Sequence, residues 1–147
     1  MAIKLRVVSM KAIITSLFVF VFISGCSQLS TMRLYAGPAL AAEQEANIVL
    51  PESFEVIQLN GQSISDSRLK FRSGDITLTI PSGEHTIVFQ YKDFWQIDDD
   101  NHDTVTTGPI TFKFTLQPKE VFVVKYPTLG NHDDAIKFSK QPNVTLV

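Results

Sequence analysis

The sequence predicts an all-β fold, either a small antiparallel sandwich or a partly open barrel. Short segments in which apolar and polar residues alternate recur after residue 46. This period of two is typical of strands that have one dry face and one wetter face. Turn-forming Gly, Pro, Asn and Asp residues separate the segments at short intervals. A length of 147 residues suits a single domain.

The first of these strand-like segments is residues 54–59 (FEVIQL), which Asn60-Gly61 follows directly. The dipeptide indicates a hairpin, because a type I′ turn needs positive φ at both central positions. The returning arm, residues 62–64, is short. Residues 75–80 alternate next, and Pro81-Ser82-Gly83-Glu84 predicts a turn after them.

Three later segments alternate in the same way, at residues 85–91, 110–116 and 121–126. Two weaker segments, Ala135–Ser139 and Asn143–Leu146, are predicted as edge strands. The alanine-rich run Ala39–Ala46 favours a turn or two of helix instead.

The inward-facing residues of these strands predict a core large enough for an independent domain. The predicted core residues are Phe54, Val56, Ile76, Leu78, Ile80, Ile87, Phe89, Phe112, Phe114, Phe122 and Val124.

The N-terminus has the layout of a secretory signal. Lys4, Arg6 and Lys11 precede a mostly apolar stretch of 12 residues, 12–23. A membrane-spanning helix needs roughly 20 apolar residues, so this stretch is too short to be one. Both Met1 and Met10 remain possible starts of the segment.

Ile23-Ser24-Gly25-Cys26 resembles the lipobox of bacterial lipoproteins. The resemblance implies a diacylglyceryl group on the Cys26 sulfur, an added N-acyl chain, and cleavage that leaves Cys26 as the first mature residue. A plain signal peptide followed by a free, buried cysteine is the alternative. Two acyl chains already suffice for stable anchoring. Ser27 follows the cysteine, which by resemblance to lipoprotein sorting in Gram-negative bacteria favours the outer membrane.

The predicted organisation is therefore a signal peptide over residues 1–25, a lipidated tether over 26–46 and a β-domain over 47–147. Three of the 13 Lys and Arg residues and none of the 15 Asp and Glu residues lie in 1–25, so residues 26–147 carry a net charge of −5. An acidic body argues against nucleic acid as a partner.

Three stretches carry a family resemblance: "RLYAGPAL", "VIQLNGQSI" and "LTIPSGEHTIVFQYK", at residues 33–40, 56–64 and 78–92. Their order resembles that in small bacterial envelope lipoproteins of unknown function. The last two are also similar to the N-terminal region of the YccT-like secreted proteins. That second resemblance implies no assigned enzymatic activity and a connection with restraint of curli fibre assembly.

Two acidic loops form the sharpest candidate for a ligand site. The tripeptide Asn-His-Asp occurs at residues 101–103 and again at 131–133. Carboxylate, amide and imidazole groups on two loops at one end of a sandwich would suit Ca²⁺ or another divalent cation. The alternative interpretation is a pair of solvated loops. The candidate ligands are Asp98, Asp100, His102, Asp103, His132 and Asp133.

A partner-binding protein and an enzyme are expected to differ in their sequence features. An edge strand or a Thr-rich face would dock a partner by strand addition. Trp95 either caps the core, which we favour, or joins an exposed aromatic patch for glycan or protein binding. No Gly-x-Ser-x-Gly elbow or phosphate-binding Gly-rich loop occurs, so no enzyme is predicted. The Thr-rich face comprises Thr77, Thr79, Thr111 and Thr115.

These features predict an outer-membrane lipoprotein whose body faces the periplasm and acts as a binding or assembly module. Its expected contacts are the membrane, through the lipid, and an envelope protein. No cofactor is expected besides the covalent lipid. A divalent-cation-binding envelope protein is the alternative function, and a hydrolytic enzyme is the less favoured one.

Lipidation of Cys26 is directly testable. Cells fed labelled palmitate should incorporate it into the wild-type chain and not into the Cys26→Ser variant, because the thioether needs the sulfur. A Ser27→Ala variant is the matched control and should remain labelled. Label that stays on Cys26→Ser would contradict the prediction.

Overall fold

Two sheets of five strands each build the fold in a computed structural model that describes residues 30–70 and 72–147. The strands curl into a half-barrel, so the predicted all-β class is confirmed. In the described residues the elements are β1 (Ser30–Arg33), β2 (Glu45–Leu50), β3 (Phe54–Leu59), β4 (Gln62–Ser63), α1 (Ser67–Lys70), β5 (Ile76–Pro81), β6 (Gly83–Gln96), β7 (His102–Thr106), β8 (Ile110–Leu116), β9 (Val121–Lys125), α2 (His132–Lys140) and β10 (Thr145–Leu146).

The first sheet has the strand order β1-β5-β2-β9-β10 and contains both parallel and antiparallel pairs. β1 runs parallel to β5, and β2 runs parallel to β9, while β5–β2 and β9–β10 are antiparallel. Parallel neighbours need long crossover connections. The whole second sheet lies in the connection between β2 and β9. Within the segment predicted as a tether, Ser30–Arg33 forms a strand and Met32 is buried.

The second sheet is organised around β6, which is 14 residues long. β3 pairs with one edge of β6. The other edge pairs with two strands in turn: Gly83–Phe89 faces β8, and Lys92–Gln96 faces β7. β4 extends the sheet by two residues beyond β3.

The predicted hairpin at Asn60-Gly61 is confirmed. Asn60 has φ +52° and Gly61 has φ +79°, which are the positive values that a type I′ turn needs. The Asn60 side chain adds a second function, because its Oδ1 accepts a hydrogen bond from the Thr86 amide at 2.9 Å. The turn is thereby fastened to β6.

The core lies between the two sheets and includes most of the residues that the alternation predicts. Phe112, Phe114 and Phe122 are half-buried and pack against it. The other eight predicted residues are buried, together with Ala46, Ile48 and Leu50 of β2. Buried hydrophobic residues outside these sets are Met32, Leu59, Leu69, Tyr91, Val105, Leu116, Ala135 and Phe138.

The predicted edge strand at Ala135–Ser139 is wrong, because these residues lie within the helix α2. Asn131 caps the helix, and its Oδ1 accepts a hydrogen bond from the Asp134 amide at 2.9 Å. Acidic residues occupy the first turn and lysines the last, as the helix dipole favours. Ala135 and Phe138, three residues apart, are the buried positions, and a spacing of three is a helical one.

The helix predicted over Ala39–Ala46 reduces to a single 3₁₀ turn at Ala42–Gln44, after which β2 begins. Pairing of β2 with both β5 and β9 outweighs the helix propensity of alanine here. Among the described helices, none is long and apolar enough to cross a bilayer.

Two phenylalanines on β6 allow a matched test of this arrangement. Phe89 is fully buried, whereas Phe94 is 64% exposed. Phe89→Ala should lower the free energy of unfolding by about 3–5 kcal/mol, because it removes a ring from the core. Phe94→Ala should cost less than about 1 kcal/mol. Urea denaturation of both variants measures this, and equal losses would contradict the placement of β6.

Candidate functional site

The two Asn-His-Asp tripeptides meet at one end of the fold. His132 is the first residue of α2, and Asp103 lies on β7, against which α2 packs. The His132 Nε2 atom lies 2.8 Å from the Asp103 Oδ2 atom. One histidine and one carboxylate of the predicted set are therefore in contact.

The remaining predicted metal ligands do not join this pair. The Asp98 carboxylate accepts hydrogen bonds from the Asn101 side chain and from the amides of Asp100 and Asn101, which lower its pKa. His102 stacks against Phe94, with ring centroids 4.9 Å apart. Within residues 30–70 and 72–147, no group of three or more His, Cys, Asp or Glu side chains is arranged to hold a metal ion. Asp100 and Asp133 are exposed.

The predicted Thr-rich face is divided between the two sheets. Thr77 and Thr79 lie on β5, which is paired on both sides by β1 and β2. Thr79 is buried, and its hydroxyl donates to the Asn47 Oδ1 atom at 2.8 Å. Thr111 and Thr115 are exposed on β8 in the other sheet. The four threonines therefore do not form one docking surface.

β8 is the longest strand at a sheet edge in the described part of the chain. It pairs with β6 along seven residues, and its opposite edge pairs with no described strand. Other edge strands are shorter: β7 has five residues, β1 has four, and β4 and β10 have two each. An unpaired edge presents a row of backbone donors and acceptors to another chain.

A depression beside β8 is lined by His85 and Asn60, and both ring nitrogens of His85 are already hydrogen-bonded. Its Nε2 atom lies 2.8 Å from the Pro81 carbonyl oxygen. A carbonyl only accepts, so Nε2 carries the proton and Nδ1 accepts from the Asn60 Nδ2 atom at 2.9 Å. This geometry gives His85 a structural role in holding the hairpin to β6.

A second concave site lies between β6 and the connection from β9 to α2. We call it the Trp95 cleft; it has a volume of about 300 Å³ and is lined by Tyr91, Asp93, Trp95, Tyr126, Pro127, Thr128 and Leu129. Alternation along β6 points Tyr91, Asp93 and Trp95 to the same face of the sheet. Trp95 packs against the core while Phe94, on the opposite face, is exposed.

A chain of hydrogen bonds fixes the polar groups of the Trp95 cleft. The Trp95 Nε1 atom donates to the Tyr91 hydroxyl at 3.0 Å, and that hydroxyl donates to the Asp93 Oδ2 atom at 3.2 Å. Burial raises the pKa of the Tyr91 phenol, so the group stays protonated and able to donate. Ser53 Oγ also donates to Asp93 Oδ2, at 2.9 Å.

Sequence reasoning named Trp95 and missed Asp93 and Tyr91. The alternation of apolar residues along β6 was the available signal. It places Tyr91 on the inner face of the strand, and Asp93, two residues later, lies on the same face. A carboxylate on the inner face of a strand requires hydrogen-bond donors. Cys26, the predicted lipidation site, lies outside the described residues.

Comparison with known proteins gives a family. Residues 47–147 match the model of a family described as "Uncharacterized protein conserved in bacteria (DUF2057)". UPF0319 proteins of Aliivibrio fischeri strains MJ11 and ATCC 700601 / ES114 are each 27% identical over 109 residues, which cover 74% of this chain and 51% of theirs. The chain thus spans about half the length of these curated relatives. No solved structure matches it. The chain belongs to the DUF2057 family of bacterial proteins.

Proposed function

We propose that the chain is an outer-membrane lipoprotein whose β-domain acts as a binding or assembly module in the cell envelope, with β8 as the docking edge. The lipid anchor is proposed from the sequence around Cys26. The observation that carries the docking proposal is the unpaired outer edge of β8 in the described structure.

The composition of β8 suits strand addition. Its exposed side chains are Thr111, Lys113 and Thr115, and its inner side chains include Phe112 and Phe114 against the core. The core therefore holds the strand in place while its outward side chains stay polar. An added strand would gain main-chain hydrogen bonds along this edge, and the outward side chains would provide selectivity.

Lys113 indicates which kind of strand would pair. It is the central residue of β8 and the only charged one. In a centred antiparallel pairing of two β8 edges, the Lys113 side chains of both copies would lie opposite each other. Directly opposed like charges are destabilising. The partner we propose is therefore another envelope protein, with an acidic or polar residue facing Lys113.

The divalent-cation alternative has one observation in its favour, the contact between His132 and Asp103. A divalent site needs more ligands than these two. Because the described residues supply no third His, Cys, Asp or Glu ligand to the pair, we place this function second. We propose no enzymatic activity.

Site-specific photo-crosslinking tests the docking edge. A photoreactive residue at Thr111 or Thr115 should capture the same envelope protein in living cells, because both positions lie along the free edge. Thr77 is the matched control, since β5 is paired on both sides. A charge reversal at Lys113→Glu should weaken capture without unfolding the domain. Equal capture from Thr77, or none from either β8 position, would contradict the proposal.

A further inference from the structure

We infer that the Trp95 cleft binds a positively charged group, an alkylammonium or a guanidinium. The cleft is separate from the β8 edge, because it lies on the other half of β6, where the strand pairs with β7. Three features support the inference. The cleft has a carboxylate without a charged partner, it has two aromatic walls, and these groups are held in fixed positions.

The carboxylate is that of Asp93. Its hydrogen-bond donors are all uncharged: the Ser53 and Tyr91 hydroxyls and the Phe94 amide. None of the ion pairs in the described structure involves Asp93. These donors satisfy its oxygen atoms without cancelling its charge, so the cleft carries a net negative charge beside apolar walls. A cation is the ligand that such a site favours.

A second carboxylate, that of Asp103, lies beside the cleft without lining it. In the pairing of β6 with β7, Asp103 lies opposite Trp95 and diagonal to Asp93. Diagonal neighbours in an antiparallel pair are separated by about 7–8 Å. Asp103 contacts His132 through one oxygen, Oδ2. Trp95 is thus flanked by two acidic residues on one face of the sheet.

The aromatic walls are Trp95 and Tyr126. Cations are attracted to the faces of aromatic rings, most strongly to that of Trp. Tyr126 is held by edge-on packing against Phe54, with ring centroids 5.0 Å apart, and by Phe138 at 5.8 Å. Trp95 is held by its hydrogen bond to Tyr91. Both walls are therefore fixed before a ligand arrives, which reduces the entropy lost on binding.

The size of the cleft limits the ligand to one head group. A volume of about 300 Å³ is at the lower end of small-molecule sites. The ligand chemistry we propose is shared by free organic amines and by Lys or Arg side chains of a partner protein. The net charge of −5 on residues 26–147 would attract either source.

Trp95 provides its own reporter, because it is the only tryptophan in the chain. Choline should change the emission of the purified full chain in a saturable way, and its uncharged isostere 3,3-dimethyl-1-butanol should not. Trilysine and triarginine test the side-chain source. Saturation by the peptides alone supports binding of a protein partner, and saturation by choline alone supports a free amine. Equal responses to choline and its isostere, or no saturable response to any cation, would overturn the inference.

A pair of isosteric variants tests the role of charge. Asp93→Asn should weaken binding of the responding cation by about tenfold or more, since it removes a charge-assisted contact. Asp100→Asn makes the same charge change in the exposed loop and should bind as the wild type does. Circular dichroism checks that both variants fold. Glucose is a neutral probe of the same cleft. If it changes the Trp95 emission in a saturable way, and Asp93→Asn leaves that response unchanged, the cleft binds a neutral sugar and the inference is overturned. Crosslinking at β8 has no bearing on either outcome.

Discussion

The rest of the structure depends on the pairing of β6 with three other strands. This strand is bonded to β3 along one edge and to β8 and then β7 along the other. Its inward residues Ile87, Phe89 and Tyr91 are fully buried. Burial of apolar area contributes about 25 cal/mol per Å², and no other described strand of the second sheet has three fully buried side chains. A strand of ordinary length would reach only one of its two partners on the second edge.

The same strand positions both proposed binding regions. Its first half supports β8, whose outer edge is unpaired among the described strands. Its second half continues past the end of β8, pairs with β7 and presents Asp93 and Trp95 to the cleft. Because the two regions are at opposite ends of one rigid strand, a partner at the edge and a cation in the cleft can bind without competing for the same atoms.

Local pattern predicted most strands of the second half of the chain but not β1, β2 or β7. Where it succeeded, alternation and turn residues reported which face of a strand is buried. The hairpin at Asn60-Gly61 and the inward Ile87 and Phe89 are examples. The parallel pairing of β2 with β9 could not be predicted this way, since it joins residues more than seventy positions apart. Ala135–Ser139 was predicted as a strand because so short an apolar segment does not distinguish a helical period from a strand period, whereas Asn131 caps a helix there.

The candidate site also contains features that the sequence predicted and features that it did not. The two Asn-His-Asp tripeptides were expected to meet, and His132 does contact Asp103. Asp98 binds the backbone of its own loop instead of facing His132 and Asp103. The residue type alone could not predict this, because the direction of a loop carboxylate depends on backbone geometry. Asp93 was not named because the alternating segment predicted from the sequence ends at Tyr91, two residues before it. Its hydrogen-bond partner Ser53 is 40 positions away.

Residue-resolved amide hydrogen exchange, measured by NMR on the full chain, tests the central role of β6 most directly. Amides of Ile87, Phe89 and Tyr91 should exchange only through global unfolding, because β6 is paired on both edges at Ile87 and Phe89 and the Tyr91 amide donates to the buried Thr107 hydroxyl. Along β8, fast and slow amides should alternate, since every second backbone amide of an edge strand faces outward. Uniform protection along β8, or exchange in β6 as fast as at the sheet edges, would contradict this account.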